Sequence, residues 1–325
     1  MSKILVTGGA GFIGSSLAEK LALNPENEVI IVDNLSTGHK RNIPVSKHGN
    51  IQFIKSDVNV YKDICAILFS HPFDYIFHFA AVVGVQRTLQ RPINVLKDIS
   101  GIRNILFLAK NTGVKRVYFS SSSEVYGEPF EIPQNEHTTP LNSKLPYAIV
   151  KNVGEAFLRS FKQEYDLNYT IFRFFNTYGP KQSVDFVMSK FIFAALKDKE
   201  ILIYGDGSQT RTFCYIDDSA DACLNAFYEE KFVNDVVNIG NDNDMTILEL
   251  AHVVIEACKS KSKVIHVEPL AEGDMMRRKP DITKMTSLIN RKLIPLNEGI
   301  RKVVEYFCHA YRIEKPKDFV EVKRG

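Results

Sequence analysis

The sequence predicts an α/β fold, a doubly wound parallel sheet followed by a smaller C-terminal α/β lobe. Three observations predict it. The first half alternates short apolar runs with helical patterns. The runs are apolar throughout rather than alternating, so their strands are covered on both faces, as in a parallel sheet flanked by helices. The first run opens at once into a glycine-rich turn, VTGGAGFIGSSL, that leads into a helix.

The elements follow in order. β-Branched and aromatic runs predict strands at Lys3–Thr7, Glu28–Val32, Ile51–Lys55, Asp74–Phe79, Val114–Ser120 and Tyr169–Phe174. Helices are expected between them at Phe12–Leu23, Tyr61–Ser70, Ile93–Asn111 and Tyr147–Glu164, the last opened by Pro146 in a first-turn position. The second half is less regular. It predicts helices at Val184–Asp198, Asp217–Glu229, Ile247–Lys259 and Asn297–Tyr311, with short strands between. The division expected is 1–178, then a second lobe over 179–312 partly interleaved with the first, then a polar surface tail over 313–325. Neither an internal repeat nor a low-complexity segment occurs.

Composition narrows the function classes. A net charge of +3 on 325 residues, with no basic stripe interleaved with aromatics, argues against nucleic acid as partner. No apolar run approaches the length of a membrane span, and MSKILVTGG enters a strand directly, with no signal peptide. Five scattered cysteines without a CxxC argue against a disulfide framework or a metal site, and for a reducing, cytoplasmic setting.

Gly8, Gly11 and Gly14 follow the first strand directly. They permit a tight turn, close backbone approach to a pyrophosphate and close helix packing, with Phe12 and Ile13 at the helix N-terminus facing the phosphates. Asp33 closes the second strand, with Asn34 next to it. A carboxylate there accepts from the adenosine ribose hydroxyls and repels a 2′-phosphate, so this Rossmann-type half predicts NAD rather than NADP. Asp57 and Val58 after the third strand are placed at the adenine edge. Phe79, Ala80 and Ala81 after the fourth supply the crossing point of the cofactor.

Two further stretches carry chemistry. Tyr147 and Lys151 are four apart and share a helix face, where a cation favours the phenolate of an acid–base tyrosine. SSSSEVYG, 120–127, places Ser122, Ser123 and Glu124 at the end of a buried strand. With FRFFNTYGP (172–180), YGDGSQTRTF (204–213) and RRKPDITK (277–284), these motifs make the sequence similar to the extended short-chain dehydrogenase/reductase family that modifies nucleotide sugars. One departure is Val150, where many members carry Ser; the Tyr–Lys pair itself is intact.

The resemblance implies a triad of Ser122, Tyr147 and Lys151. Tyr147 takes the proton of the sugar 4-hydroxyl while C4 is oxidised by NAD, Lys151 holds the nicotinamide ribose, and Ser122 bonds the reacting oxygen. The resulting 4-ketose is epimerised, dehydrated at C5–C6, or, where C6 is a carboxylate, decarboxylated. Glu124 leans toward the last two routes, in which proton traffic at C5 matters. RRKPDITK resembles decarboxylases, with Arg278 at the reacting carboxyl region and Lys144 as a second cation. HFAAVVGVQRTLQRP resembles epimerases and dehydratases instead. The expectation is UDP-glucuronate decarboxylation, with 4,6-dehydration, 4-epimerisation and a non-catalytic NAD-binding regulator as alternatives. For the nucleotide the resemblance implies Asn176, Arg211 and Arg277 or Arg278 at sugar and diphosphate. Val187–Phe191, with Lys190, and Ile203–Tyr204 would line a base pocket that favours UDP. It also implies a homodimer through helices near 95–112 and 147–164, with an apolar face of Ile99, Ile102, Leu106 and Ala109.

Overall fold

The computed structural model describes residues 1–269, 275–316 and 319; most of the expected tail lies outside the described residues. Strands β1 (Ser2–Thr7), β2 (Asn27–Asp33), β3 (Ile51–Lys55), β4 (Tyr75–His78), β5 (Arg116–Ser122) and β6 (Asn168–Phe174) come from the first half. The second half supplies β7 (Thr177–Tyr178), β8 (Ile201–Tyr204), β9 (Thr210–Thr212), β10 (Cys214–Tyr215), β11 (Asp235–Ile239), β12 (Asp244–Thr246) and β13 (Val264–Val267). One sheet runs β11-β6-β5-β4-β1-β2-β3 with every pair parallel. Its order reverses between β1 and β4, and ligands of such sheets lie outside the carboxyl ends of the strands at that switch. The remaining strands pair two by two, β7 with β10, β8 with β13 and β9 with β12.

The helices are α1 (Phe12–Leu21), α2 (Tyr61–Ser70), α3 (Val85–Gln90), α4 (Pro92–Leu96), α5 (Asp98–Asn111), α6 (Pro146–Tyr165), α7 (Val187–Ala195), α8 (Ile216–Tyr228), α9 (Ile247–Ala257), α10 (Thr283–Thr286) and α11 (Leu296–Tyr311). Successive strand residues point to opposite faces, and both faces are covered. Ile4, Val6, Val29, Ile31 and Phe172 pack with Leu17 and Leu21 of α1 and Ala222 and Ala226 of α8. Leu5, Ile30, Ile76 and Ile171 pack with Ile64 of α2, Ile105 of α5 and Val150 of α6. This is why the strands read as unbroken apolar runs. A separate core holds the second lobe together, with Phe191, Ile203, Leu250 and Phe307 among its members.

Several boundaries move for physical reasons. The expected strand 114–120 runs instead over Arg116–Ser122, because Ser120, Ser121 and Ser122 pair in register with Phe172, Arg173 and Phe174 of β6. The expected helix 93–111 is two helices. At the break Ser100 N donates to Lys97 O at 3.0 Å, a three-residue step that tightens the ladder just where Asp98 enters the cleft. The helix expected from Val184 starts at Val187, after a turn in which Asp185 N donates to Ser183 Oγ at 3.3 Å. The apolar face named for a dimer is spent inside the chain: Ile102, Leu106 and Ala109 are buried and Ile99 packs against the same core. Among the described residues no helix is long and apolar enough to cross a membrane.

Candidate functional site

A single continuous cleft lies above the carboxyl ends of β1, β2, β4, β5 and β6. At one end is the glycine turn. Gly8 has φ +71°, and a Cβ there would lie 2.7 Å from Ala80 N, so the turn touches the exit of β4 backbone to backbone. A Cβ on Gly14 would meet Gly8 O at 2.4 Å. Only this close approach leaves room for a pyrophosphate over the start of α1. Beside it Asp33 accepts from Ala10 N at 3.0 Å and Leu35 N at 2.7 Å. Burial raises its pKa, and these two hydrogen bonds oppose the shift. Asn34 Nδ2 donates to Asp57 Oδ2 at 2.9 Å, closing the rim of the same end. All the residues named for the cofactor from sequence, Gly8, Gly11, Phe12, Ile13, Gly14, Asp33, Asn34, Asp57, Val58, Phe79, Ala80, Ala81, Tyr147 and Lys151, line this one cleft. The cradle therefore fits a dinucleotide.

At the other end the strand of serines meets α6. Ser122 is the last residue of β5 and caps the 3-10 turn Ser123–Tyr126, its Oγ accepting from Glu124 N at 3.2 Å. The turn swings Glu124 into the cleft, where its carboxylate has no hydrogen-bond partner among the described residues. Tyr147, at the start of α6, lines the cleft with Ser122, near enough for that hydroxyl to lower its pKa. Burial and the Glu124 charge push the Tyr147 hydroxyl pKa upward, while the Ser122 hydroxyl and the Arg278 charge pull it down. Lys151 lies one turn further on, its Nζ 5.7 Å from the Tyr147 ring centroid and donating to Ser120 O at 2.7 Å. Burial pushes its pKa down to about 8, against the raising effect of Asp98.

Arg278 crosses from the second half to this end. It is buried, donates through Nη1 to Ser123 Oγ at 3.5 Å, and has no carboxylate within ion-pair distance among the described residues. Its Nε has no hydrogen-bond partner among them. Ser123, Asn176 and Val187 line the cleft with it. Other residues expected to meet substrate are not on that wall. Lys144 and Arg277 are exposed. Lys190 lies over the Tyr204 ring at 5.4 Å, outside the cleft, and buried Arg211 donates to Thr210 O at 2.8 Å. Phe191 and Ile203, expected in a base pocket, are packed in the second-lobe core.

Sequence reasoning did not single out Asp98 or His78. Asp98 is buried on the cleft wall, its carboxylate accepting from Val82 N at 2.7 Å. As the first residue of α5 it reads in sequence as an ordinary first-turn acid. His78 ends β4 behind the cleft, 2.8 Å from Thr7 Oγ1, and burial with the nearby Lys151 charge pushes its pKa down to about 3. Among the described residues no group of three or more His, Cys, Asp or Glu side chains is placed to hold a metal ion.

The model of the NAD-dependent epimerase/dehydratase family matches residues 4–240. The UDP-glucuronic acid decarboxylase 1 of Danio rerio is 35% identical over 341 residues, covering 99% of this chain and 78% of its own. The UDP-glucose 4-epimerase of Thermotoga maritima, solved with UDP-glucose, superposes with a TM-score of 0.89 at 34% identity, covering 95% of this chain and 99% of that one. A double mutant of the dTDP-glucose 4,6-dehydratase of Streptomyces venezuelae, solved with NAD, has a TM-score of 0.84 at 25% identity and covers 94% and 97%. The three relatives carry three different reactions on one fold.

Proposed function

This chain belongs to the NAD-dependent epimerase/dehydratase family, and from that premise we propose that it decarboxylates UDP-glucuronate to UDP-xylose through transient oxidation at C4. The observation that carries the choice of reaction is Arg278. A buried guanidinium without a carboxylate partner is costly unless a ligand supplies the anion. It stands against Ser123, next to Ser122 and Glu124, and close enough to Tyr147 to bias its charge, so the anion belongs at the reacting end of the sugar.

When bound, NAD supplies the two-electron acceptor for C4. Tyr147 takes the proton of the 4-hydroxyl, Ser122 bonds the same oxygen, and Lys151 holds positive charge beside the phenolate. In the resulting 4-keto-uronate the C5–C6 bond breaks. Its electrons pass into the C4 carbonyl as an enolate, and carbon dioxide leaves. Arg278 orients the carboxylate before cleavage, and Glu124 afterwards relays a proton taken up from solvent to C5. Return of the two electrons to C4 then closes the cycle.

Mass spectrometry of products decides among the reactions. The purified protein is mixed with NAD and UDP-glucuronate, UDP-glucose, UDP-N-acetylglucosamine, dTDP-glucose or GDP-mannose. Loss of carbon dioxide from UDP-glucuronate is expected. Loss of water from another sugar would instead make this a 4,6-dehydratase with Glu124 at C5. An unchanged mass with a new sugar resonance by NMR would make it an epimerase.

We further propose a cytoplasmic homodimer. Five free cysteines suit a reducing compartment. Phe107 of α5 and Ile149 and Tyr165 of α6 are exposed apolar side chains on the two helices, apart from those spent on the core. Light scattering across a dilution series reads the mass; a monomer at micromolar concentration removes the dimer.

A further inference from the structure

A buried polar network beneath the cleft floor joins the elements that carry the site. Glu155, one turn past Lys151 on α6, accepts from Ser121 Oγ at 2.7 Å and from Arg173 Nε and Nη2 at 2.9 and 2.7 Å. Arg173 Nη1 donates to Tyr126 Oη at 2.8 Å and to Glu136 O at 3.0 Å. Tyr126 Oη in turn donates to Asn238 Oδ1 at 2.7 Å. Asn238 Nδ2 donates to Gln134 O at 2.9 Å and Asp281 O at 3.3 Å. Gln134 N donates to Lys279 O, and Asp281 N to Gln134 O, both at 2.8 Å. The path thus begins beside Ser122 and ends in the residues that follow Arg278.

Tyr126 and Asn238 are the narrow point of that path. Both are buried, and Tyr126 lies two residues beyond Glu124 in the same 3-10 turn. The Tyr126 hydroxyl accepts from β6 and donates to β11, so both its capacities are used. The side chains of Glu155, Arg173, Tyr126 and Asn238 are all hydrogen-bonded, and buried side chains paired in this way fix one arrangement of the segments they join. We propose that Tyr126 and Asn238 are positioning residues, setting the segment of Arg278 against the turn of Glu124 and so the gap that receives the reacting sugar. This rests on the roles given above to Glu124 and Arg278.

The test compares Tyr126→Phe and Asn238→Ser with wild type in the full chain. Melting midpoint, UDP affinity of the NAD-loaded protein, kcat and KM are measured, with kcat referred to sites titrated by UDP so that partial unfolding does not enter. The expected result is a kcat lowered about ten- to a hundredfold, the cost of a small misplacement, with UDP affinity unchanged and KM moved far less. A kcat per site equal to wild type in both variants, whatever the melting midpoint, overturns the proposal and leaves the network a stability element. If Tyr126→Phe does not fold, Asn238→Ser decides by the same criterion. If wild type ignores UDP-glucuronate but turns over another sugar of the panel, the decarboxylase reading fails while the kcat comparison on that sugar still decides this one. A chain that turns over none of the panel overturns both.

Discussion

Tyr147 sits between two opposite charges, and this sets how its chemistry responds to pH. Burial and Glu124 raise its pKa, whereas Ser122 and Arg278 lower it. In the proposed reaction, oxidation at C4 needs the phenolate, so the rate is expected to rise with pH on the acid limb. Glu124→Gln removes a raising charge and is expected to move that limb to lower pH; Arg278→Leu moves it to higher pH. Stopped-flow nicotinamide absorbance across a pH series reads both, and a limb that stays in place in both variants would separate Tyr147 from the reaction. Arg278→Leu should also slow carbon dioxide release about a hundredfold, the usual loss when a preorganised charge is removed from a reacting centre. His78 supplies a stability signature. Its pKa falls from the ordinary 6.5 to about 3 because the folded chain buries it beside Lys151. Between these values the unfolded chain binds a proton that the folded chain does not, so stability drops as pH falls from 6.5 towards 3. Thermal melting over this window should show a shallower slope for His78→Asn than for wild type.

Helix α6 is the element on which the site depends. Tyr147, Lys151 and Glu155 recur every four residues on one face, and Pro146 starts the helix with its ring in the first turn. Its distance from β5 is set by Gly154. A Cβ there would lie 2.4 Å from Phe119 Cζ and 3.2 Å from Ile102 Cδ1, so α6 lies close against the strand that ends in Ser122. Gly154→Ala is expected to cost about 1–3 kcal/mol through overpacking, read as a lower midpoint in urea. It should also lower kcat by pushing Tyr147 away from Ser122. A variant that melts like wild type would mean that α6 has room to spare. The spacing of the Tyr–Lys pair is visible in sequence because helical periodicity is local. Its distance from the serines is not, because that depends on Phe119 and Gly154, which lie 35 positions apart along the chain.

At the scale of the molecule, the two halves share the main sheet and the core on its first face. β11, from beyond residue 178, hydrogen-bonds along β6 from Thr170 to Phe174, and α8 packs on α1 over the first face of the sheet. A fragment ending at 178 would expose the edge of β6 and strip α8 from that face. We expect such a fragment to be insoluble or molten and to bind no NAD, whereas the full chain binds it. Proton NMR dispersion of the fragment is the measurement, and a well-dispersed spectrum with NAD affinity would contradict it.

The chain by itself determined what depends on neighbours in sequence. The strand–glycine turn–helix order, Asp33 at the end of β2 and the Tyr147–Lys151 spacing are all local patterns, and the structure places these residues on one cleft. Strand ends, helix breaks and partners were less legible. Ser120–Ser122 belong to β5 only because β6 is there to pair with them. Asp98 and His78 look like an ordinary helix acid and strand end until burial beside Lys151 changes their proton affinities. Lys144 sits three residues before Tyr147 yet is exposed, while Arg278, far along the chain, is buried 3.5 Å from Ser123. Tertiary structure alone decided which cation stands buried against Ser123, just past β5, because charge and burial come from residues that meet only when the sheet has closed over both halves of the chain.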